Sequence, residues 1–138
     1  MRNVWTVTVG TVFMTVFGLV MVGSVQSEPE QAVEVVIRDF TFVTKQSVLR
    51  LGLPTVITVK NEDGERHDFG STMFEGIPTK IEKDGVMVYG RGLGGVMLDA
   101  KRNAVIRFDM ERPGRYTFRC SIHPNMKGEL LLLSAEAV

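Results

Sequence analysis

The residues best suited to chemistry lie close together near the C-terminus. Cys120, His123 and Met126 place a thiol, an imidazole and a thioether within seven residues. Thiolate and thioether sulfur select copper(I) or zinc over hard cations, and imidazole binds copper in either oxidation state. The spacing therefore predicts a copper-binding loop that supplies three ligands.

A fourth donor comes from the other histidine. The chain has one cysteine and two histidines in all, so His67 is the remaining imidazole, and no intramolecular disulfide can form. His67 lies in a polar stretch after a β-rich run, which we expect to be a loop at the same end of the fold as Cys120. Two histidines and a cysteine with a weak axial methionine make a blue-copper electron-transfer site. We predict that His67, Cys120, His123 and Met126 hold one copper ion.

Each of these residues taken alone has a simpler interpretation. A lone cysteine at the end of a buried strand face is ordinarily a small core residue, and a methionine beside a loop often fills a gap. A single loop histidine is usually solvated. Their occurrence together favours the metal site.

The elements that must position these residues are predicted to be strands. Short β-rich runs separated by turn residues occur at 33–37, 47–51, 56–60, 104–110, 115–120 and 129–133. Alternation places Ala104, Ile106, Phe108 and Met110 on one buried face. This pattern predicts an all-β Greek-key β-sandwich.

The glycine-rich stretch from 70 to 101 interrupts this pattern. We expect it to be a long irregular connection, with a short helix at 79–84. The methionines outside the ligand loop and the N-terminal segment are scattered and are expected to pack in the core: Met73, Met87, Met97 and Met110.

Two sequence motifs resemble those of the cupredoxins, the blue type 1 copper proteins. The C-terminal signature matches at Pro113, Gly114, Tyr116, Phe118, Cys120, His123, Met126 and Gly128, and the upstream signature matches at Asn61, Asp63, His67 and Phe69. The resemblance covers roughly residues 33–133. The short ligand loop and its His-Pro step are similar to those of amicyanin more than to those of plastocyanin.

The resemblance implies a one-electron carrier with a single copper ion, Cu(I) or Cu(II), and no enzyme activity or small-molecule substrate. A redox donor and an acceptor would dock weakly and transiently near His123, beside Pro124 and either Phe74 or Met73. Asp68 stands where related proteins often have asparagine, and we expect it to hydrogen-bond Ser121 and join the two ligand loops. The alternatives are a periplasmic copper chaperone or storage protein with the same ligands, and a metal-free interaction module.

The N-terminal residues are predicted to direct export. Residues 4–25 carry no charge, with Arg2 before them and Glu28 and Glu30 after them, which orients the following domain outside the cytoplasm, in the bacterial periplasm. Residues 1–27 are a signal peptide or an uncleaved membrane anchor, 28–32 a linker, and 33–138 the copper-binding domain; a buried core helix is the weaker alternative for the apolar stretch. A formal net charge of zero argues against nucleic acid as a partner.

Overall fold

The structure is a computed structural model that describes residues 29–45 and 49–133. The predicted export segment 1–27 lies outside these ranges. Within them, no helix combines the length and apolar character needed to cross a membrane.

The described residues form eleven strands in two sheets, with one 3₁₀ turn at Thr72–Phe74. The strands are β1 (Gln31–Arg38), β2 (Thr41–Lys45), β3 (Leu49–Arg50), β4 (Pro54–Asn61), β5 (His67–Ser71), β6 (Pro78–Lys83), β7 (Val86–Arg91), β8 (Gly95–Leu98), β9 (Asn103–Asp109), β10 (Gly114–Arg119) and β11 (Lys127–Leu133). One sheet has the order β2-β1-β4-β9-β6-β7 and the other the order β3-β11-β10-β5-β8.

The predicted all-β sandwich is confirmed. Successive strands lie in different sheets at seven steps, namely β2 to β3, β3 to β4, β4 to β5, β5 to β6, β7 to β8, β8 to β9 and β9 to β10, and such repeated crossing is typical of a Greek-key sandwich. Most neighbouring strands are antiparallel. The pairs β1–β4 and β3–β11 are parallel.

The core lies between the sheets and follows the predicted alternation. Ala104, Ile106 and Phe108 on β9 are buried, and Met110 continues the same face. Removing one such side chain from water contributes about 1.5–3 kcal/mol. Three phenylalanine rings from different strands meet edge to face or tilted in the centre: Phe42, Phe69 and Phe118.

The region from 70 to 101 differs most from the sequence prediction. It is built largely of strands β5 to β8, and the segment expected to be a helix is strand β6. One of its glycines allows two strands to pack closely. Gly95 has φ of 156°, and a Cβ there would lie 2.0 Å from the Phe69 carbonyl oxygen, so glycine lets β8 approach β5.

Other differences have equally local causes. β2 was not predicted; it is the second strand of a hairpin closed at Asp39 and Phe40, both with positive φ. β1 begins within the expected 28–32 linker, since the Gln31 amide bonds the backbone of Arg50 and the Thr55 hydroxyl. Met87 and Met97 are exposed rather than packed in the core, because both lie on edge strands.

Alanine at position 95 tests the close approach of β8 and β5. We expect Gly95→Ala to lower the free energy of unfolding by about 1–3 kcal/mol, because the new Cβ would overlap backbone that cannot move aside freely. Urea unfolding measures the change. The control is Gly94→Ala, since a Cβ at Gly94 meets nothing within 4 Å. Equal stabilities for the two variants would contradict this account.

Candidate metal centre

Connections at one end of the sandwich surround the predicted ligands. They include the β1–β2 turn and the loops 62–66, 99–102 and 120–126, and the last of these carries Cys120, His123 and Met126. The sequence predicts that His67 lies in a loop, but His67 is the first residue of β5. Cys120 follows β10 directly.

The structure brings together three of the four predicted ligands. The His67 Nδ1, Cys120 Sγ and His123 Nδ1 atoms all lie within 4.8 Å of one another. The two nitrogens are 3.1 Å apart, and the sulfur is 4.0 Å from His67 Nδ1 and 3.6 Å from His123 Nδ1. His67 and Cys120 are buried, while His123 is half-buried.

These separations suit one metal ion. Bonds to imidazole nitrogen of about 2.0 Å and to thiolate of about 2.3 Å, the values for zinc, add up to more than each measured distance. A single ion can therefore touch all three atoms without movement of the strands. One thiolate and two imidazoles form a donor set suited to copper.

The Asp63 carboxylate orients the deepest histidine. Its Oδ2 lies 2.9 Å from His67 Nε2, which assigns the Nε2 proton to this bond and leaves Nδ1 free to face Cys120. The same carboxylate accepts hydrogen bonds from the backbone N–H groups of Asp39, at 2.7 Å, and Phe40, at 3.0 Å. Burial raises the pKa of Asp63, but the donors from Phe40, Asp39 and His67 outweigh it and hold the pKa below its usual value.

Phe40 is thereby seated over the candidate site. The turn that carries it has φ of 52° at Asp39 and 55° at Phe40, a left-handed conformation that aspartate tolerates but that is unfavourable for the bulky phenylalanine. Its ring meets those of His67 and His123 nearly at right angles, with centroids 5.3 and 5.0 Å away. Sequence reasoning missed this residue, and the signal was weak: a turn-forming aspartate within an otherwise β-rich stretch.

Asn61 holds the 62–66 loop in place through its side chain. Its side-chain amide is buried, and it donates to the carbonyls of Glu65, at 2.8 Å, and Asp99, at 3.0 Å. Its carbonyl oxygen accepts the Asp63 N–H. This amide therefore fixes the loop that holds the Asp63 carboxylate beside the His67 ring.

The predicted bond between the two ligand loops is confirmed. Asp68 accepts hydrogen bonds from the Ser121 N–H, at 2.5 Å, and from the Ser121 hydroxyl, at 2.8 Å. The Asp68 N–H also points to Cys120 Sγ, at 3.4 Å. Burial raises the pKa of Asp68, but hydrogen bonds from Cys120 and Ser121 outweigh it and lower the pKa, so the carboxylate is ionised.

Met126 closes the ligand loop. Its side chain is buried, its N–H donates to the His123 carbonyl at 2.9 Å, and its carbonyl accepts the Cys120 N–H at 3.2 Å. The loop is thus a single compact turn between β10 and β11. Next to it, Gly128 faces the Phe118 ring, which a Cβ would meet at 2.3 Å.

The surface beside His123 differs from the prediction in part. Pro124 is exposed, as expected, but Met73 and Phe74 are buried in the core around the 3₁₀ turn and cannot line a docking surface. Exposed apolar side chains near His123 are instead Phe40 and Ile122.

Comparison with known proteins gives distant structural neighbours. No family model and no curated protein matches the chain. Similar solved structures include the reduced Cu(I) form of an amicyanin mutant at pH 4, which is 21% identical, with 74% of this chain and 82% of that chain covered and a TM-score of 0.49. Amicyanin from Paracoccus versutus is 20% identical, with 74% and 81% covered and a TM-score of 0.47. At this distance, function has to be inferred from the donor cluster and not from these neighbours.

Asn at position 63 tests the carboxylate that orients His67. The two carboxylate oxygens of Asp63 accept from three N–H donors, those of Asp39, Phe40 and His67. An asparagine side chain has only one oxygen, so at least one of these donors would face its NH₂ group. We expect Asp63→Asn to lower the free energy of unfolding by about 1–3 kcal/mol and the metal affinity about 10–100-fold. Glu62→Gln is the control, because Glu62 pairs with the exposed Arg38. Chelator competition measures the metal affinity, and urea unfolding measures the stability. Equal values of both for the two variants would refute this role of Asp63.

The link between Asp68 and Ser121 predicts a contrast between two substitutions. Asp68→Ala removes the acceptor and should weaken metal retention about 10–100-fold, because the two ligand loops are no longer joined. Asp68→Asn should keep most of the affinity, since the amide can accept from the Ser121 N–H and donate to its hydroxyl. Competition with a chromophoric chelator measures both, and an unchanged affinity in Asp68→Ala would disprove the link.

Proposed function

We propose that the protein is a type 1 copper protein, similar to the cupredoxins, that carries single electrons between redox partners outside the cytoplasm. The observation that supports this is the convergence of His67 Nδ1, Cys120 Sγ and His123 Nδ1 from two distant chain segments. In this proposal those three atoms are the equatorial ligands of one copper ion. Met126 supplies the weak axial ligand, the combination typical of blue-copper sites.

The protein's contribution is a site that resists rearrangement. A bound copper ion supplies the one-electron couple between Cu(I) and Cu(II). Around it, Asp63 fixes the His67 ring, Asp68 joins the two ligand loops, and the Asp68 N–H directed at Cys120 Sγ draws charge from the sulfur. Such contacts near the ligands, especially hydrogen bonds to the cysteine sulfur, tune the redox potential.

Burial of the donors favours an electron carrier over a copper chaperone. His67 has 0% and Cys120 1% of its surface exposed. A chaperone must let a partner's ligands reach the ion, whereas an electron needs only a short path to the surface. The half-buried His123 offers that path.

Docking is proposed at the apolar surface around His123. Phe40 is 49% and Ile122 45% exposed, and Pro124 is exposed beside them. A redox donor and an acceptor would each bind there through a small, short-lived interface. The predicted export segment is consistent with a carrier outside the cytoplasm.

Spectroscopy of the copper-loaded full chain tests the proposal. With Cu(II) we expect an intense thiolate-to-copper charge-transfer band in the visible, narrow copper hyperfine splitting in EPR, and reversible one-electron voltammetry. Cys120→Ser should abolish the band. Met126→Leu should keep it and raise the potential, because Cu(II) loses a donor. Met110→Leu should change neither, because Met110 is a buried methionine that follows β9, outside the ligand loop.

The other outcomes separate the alternatives. Tight Cu(I) binding without a visible band or reversible redox would replace the carrier with the chaperone or storage function. Failure to bind copper at all would leave an interaction module. An unchanged potential in Met126→Leu would remove Met126 from the ligand set.

A further inference from the structure

Strand β7 presents an apolar edge that the metal centre does not use. Four consecutive residues are exposed: Val86 by 63%, Met87 by 45%, Val88 by 47% and Tyr89 by 67%. Among the described strands, β7 pairs with β6 and has no neighbour on its other side. Four exposed apolar residues in a row on an edge strand mark a surface for association.

The backbone of β7 is prepared to pair with another strand. The two-residue turn Asp84–Gly85, with φ of 50° and 77°, makes Lys83 and Val86 the closing hydrogen-bonded pair of the hairpin. Because hydrogen bonding alternates along an antiparallel pair, the N–H and C=O groups of Met87, Tyr89 and Arg91 point away from β6. The segment Val86–Tyr89 contains neither a proline nor a charged residue, the two features that commonly prevent an edge strand from pairing further.

The apolar surface continues on both faces of β7. On the inner face, Val86 and Val88 line a groove with Leu93, Val96 and Met97, where the edges of the two sheets lie side by side. On the outer face, the Tyr89 hydroxyl contacts Met87 Sδ at 2.8 Å, and Lys80 lies over the Tyr89 ring. A strand added here would therefore cover apolar side chains on either face.

The charged side chains at the two ends of β7 suit an antiparallel copy of the same strand, because that arrangement sets Arg91 near Asp84 and keeps the two Arg91 side chains apart. Asp84 lies at one end and makes ion pairs with Lys83 and Arg102 of 3.8 Å each. Arg91 lies at the other end, where its guanidinium donates to the Gly76 carbonyl at 3.0 Å. A two-fold axis through Val88 would set Met87 opposite Tyr89 and bring each Arg91 beside the Asp84–Gly85 turn of the other copy.

We propose that two copies of this chain associate through β7, which joins their larger sheets edge to edge in antiparallel register about Val88. The turn after β6 lies at the end of the sandwich that holds the metal centre, as the contact of Lys83 with Asp99 shows. Antiparallel pairing then directs the two metal centres in opposite directions. Phe40 and Ile122 remain accessible on each copy.

Disulfide trapping in the full chain tests the register. Residues facing each other at a non-hydrogen-bonded antiparallel position have Cα atoms about 4.5 Å apart, within the range that a disulfide spans. Under mild oxidation, Val88→Cys should yield a covalent dimer, since native Cys120 is buried. Val43→Cys is the matched control, because Val43 is 48% exposed on β2 at the opposite edge of the same sheet, and it should remain monomeric.

Sedimentation of the uncross-linked full chain gives an independent measurement. Val88→Lys should shift the dimer to a monomer, because two ammonium groups would face each other at the axis, whereas Val43→Lys should leave the dimer intact. Visible spectra of the copper-loaded variants show whether the metal centre is preserved. Equal trapping at positions 88 and 43, or a native chain that is monomeric at all concentrations tested, would overturn the proposal.

Discussion

The candidate site depends on holding together two chain segments that lie 53 residues apart. Ionised Asp68 at the start of β5 accepts two hydrogen bonds from Ser121, the residue after Cys120. Hydrogen bonds to a charged acceptor contribute about 1.5–3 kcal/mol each, enough to fix the relative position of two loops. Strands β5 and β10 pair only as far as Gly70 and Arg119, so this contact extends the link between them to the residues beside His67 and Cys120.

A second carboxylate extends that constraint to the surface of the site. Asp63 joins His67 to the β1–β2 turn, and the turn carries Phe40 over both histidine rings. The unfavourable backbone of this turn persists because its two N–H groups have a buried acceptor. Ligand orientation and the shape of the surface beside His123 are therefore coupled through one side chain.

The sequence was most informative where chemistry restricts residue type. Cys120, His123 and His67 could be singled out because sulfur and imidazole at this spacing have few other uses together. The link from Asp68 to Ser121 came from the resemblance to the cupredoxins, where an asparagine often stands at the position of Asp68. Phe40 could not be found this way, because its position depends on a turn geometry that distant Asp63 stabilises. The expectation that either Phe74 or Met73 lines the docking surface was wrong for a similar reason, since short apolar runs do not reveal which side of a turn faces the core. The expectation that Met73 packs in the core was correct.

The main error in the predicted fold concerns the glycine-rich stretch, and the strands that form there include the edge strands β7 and β8. Because glycine usually interrupts strands, the sequence predicts an irregular stretch from 70 to 101, yet Gly95 occurs where β8 must approach Phe69 closely. Once those residues are strands, Met87 and Met97 lie on the edge strands of the two sheets that the described residues form, where the core cannot cover them. The exposed apolar residues of β7 are thus a consequence of its edge position, and they favour pairing with a second strand. Because that edge runs along the side of the sandwich and the donor atoms lie at its end, association of two copies and docking of a redox partner need not compete.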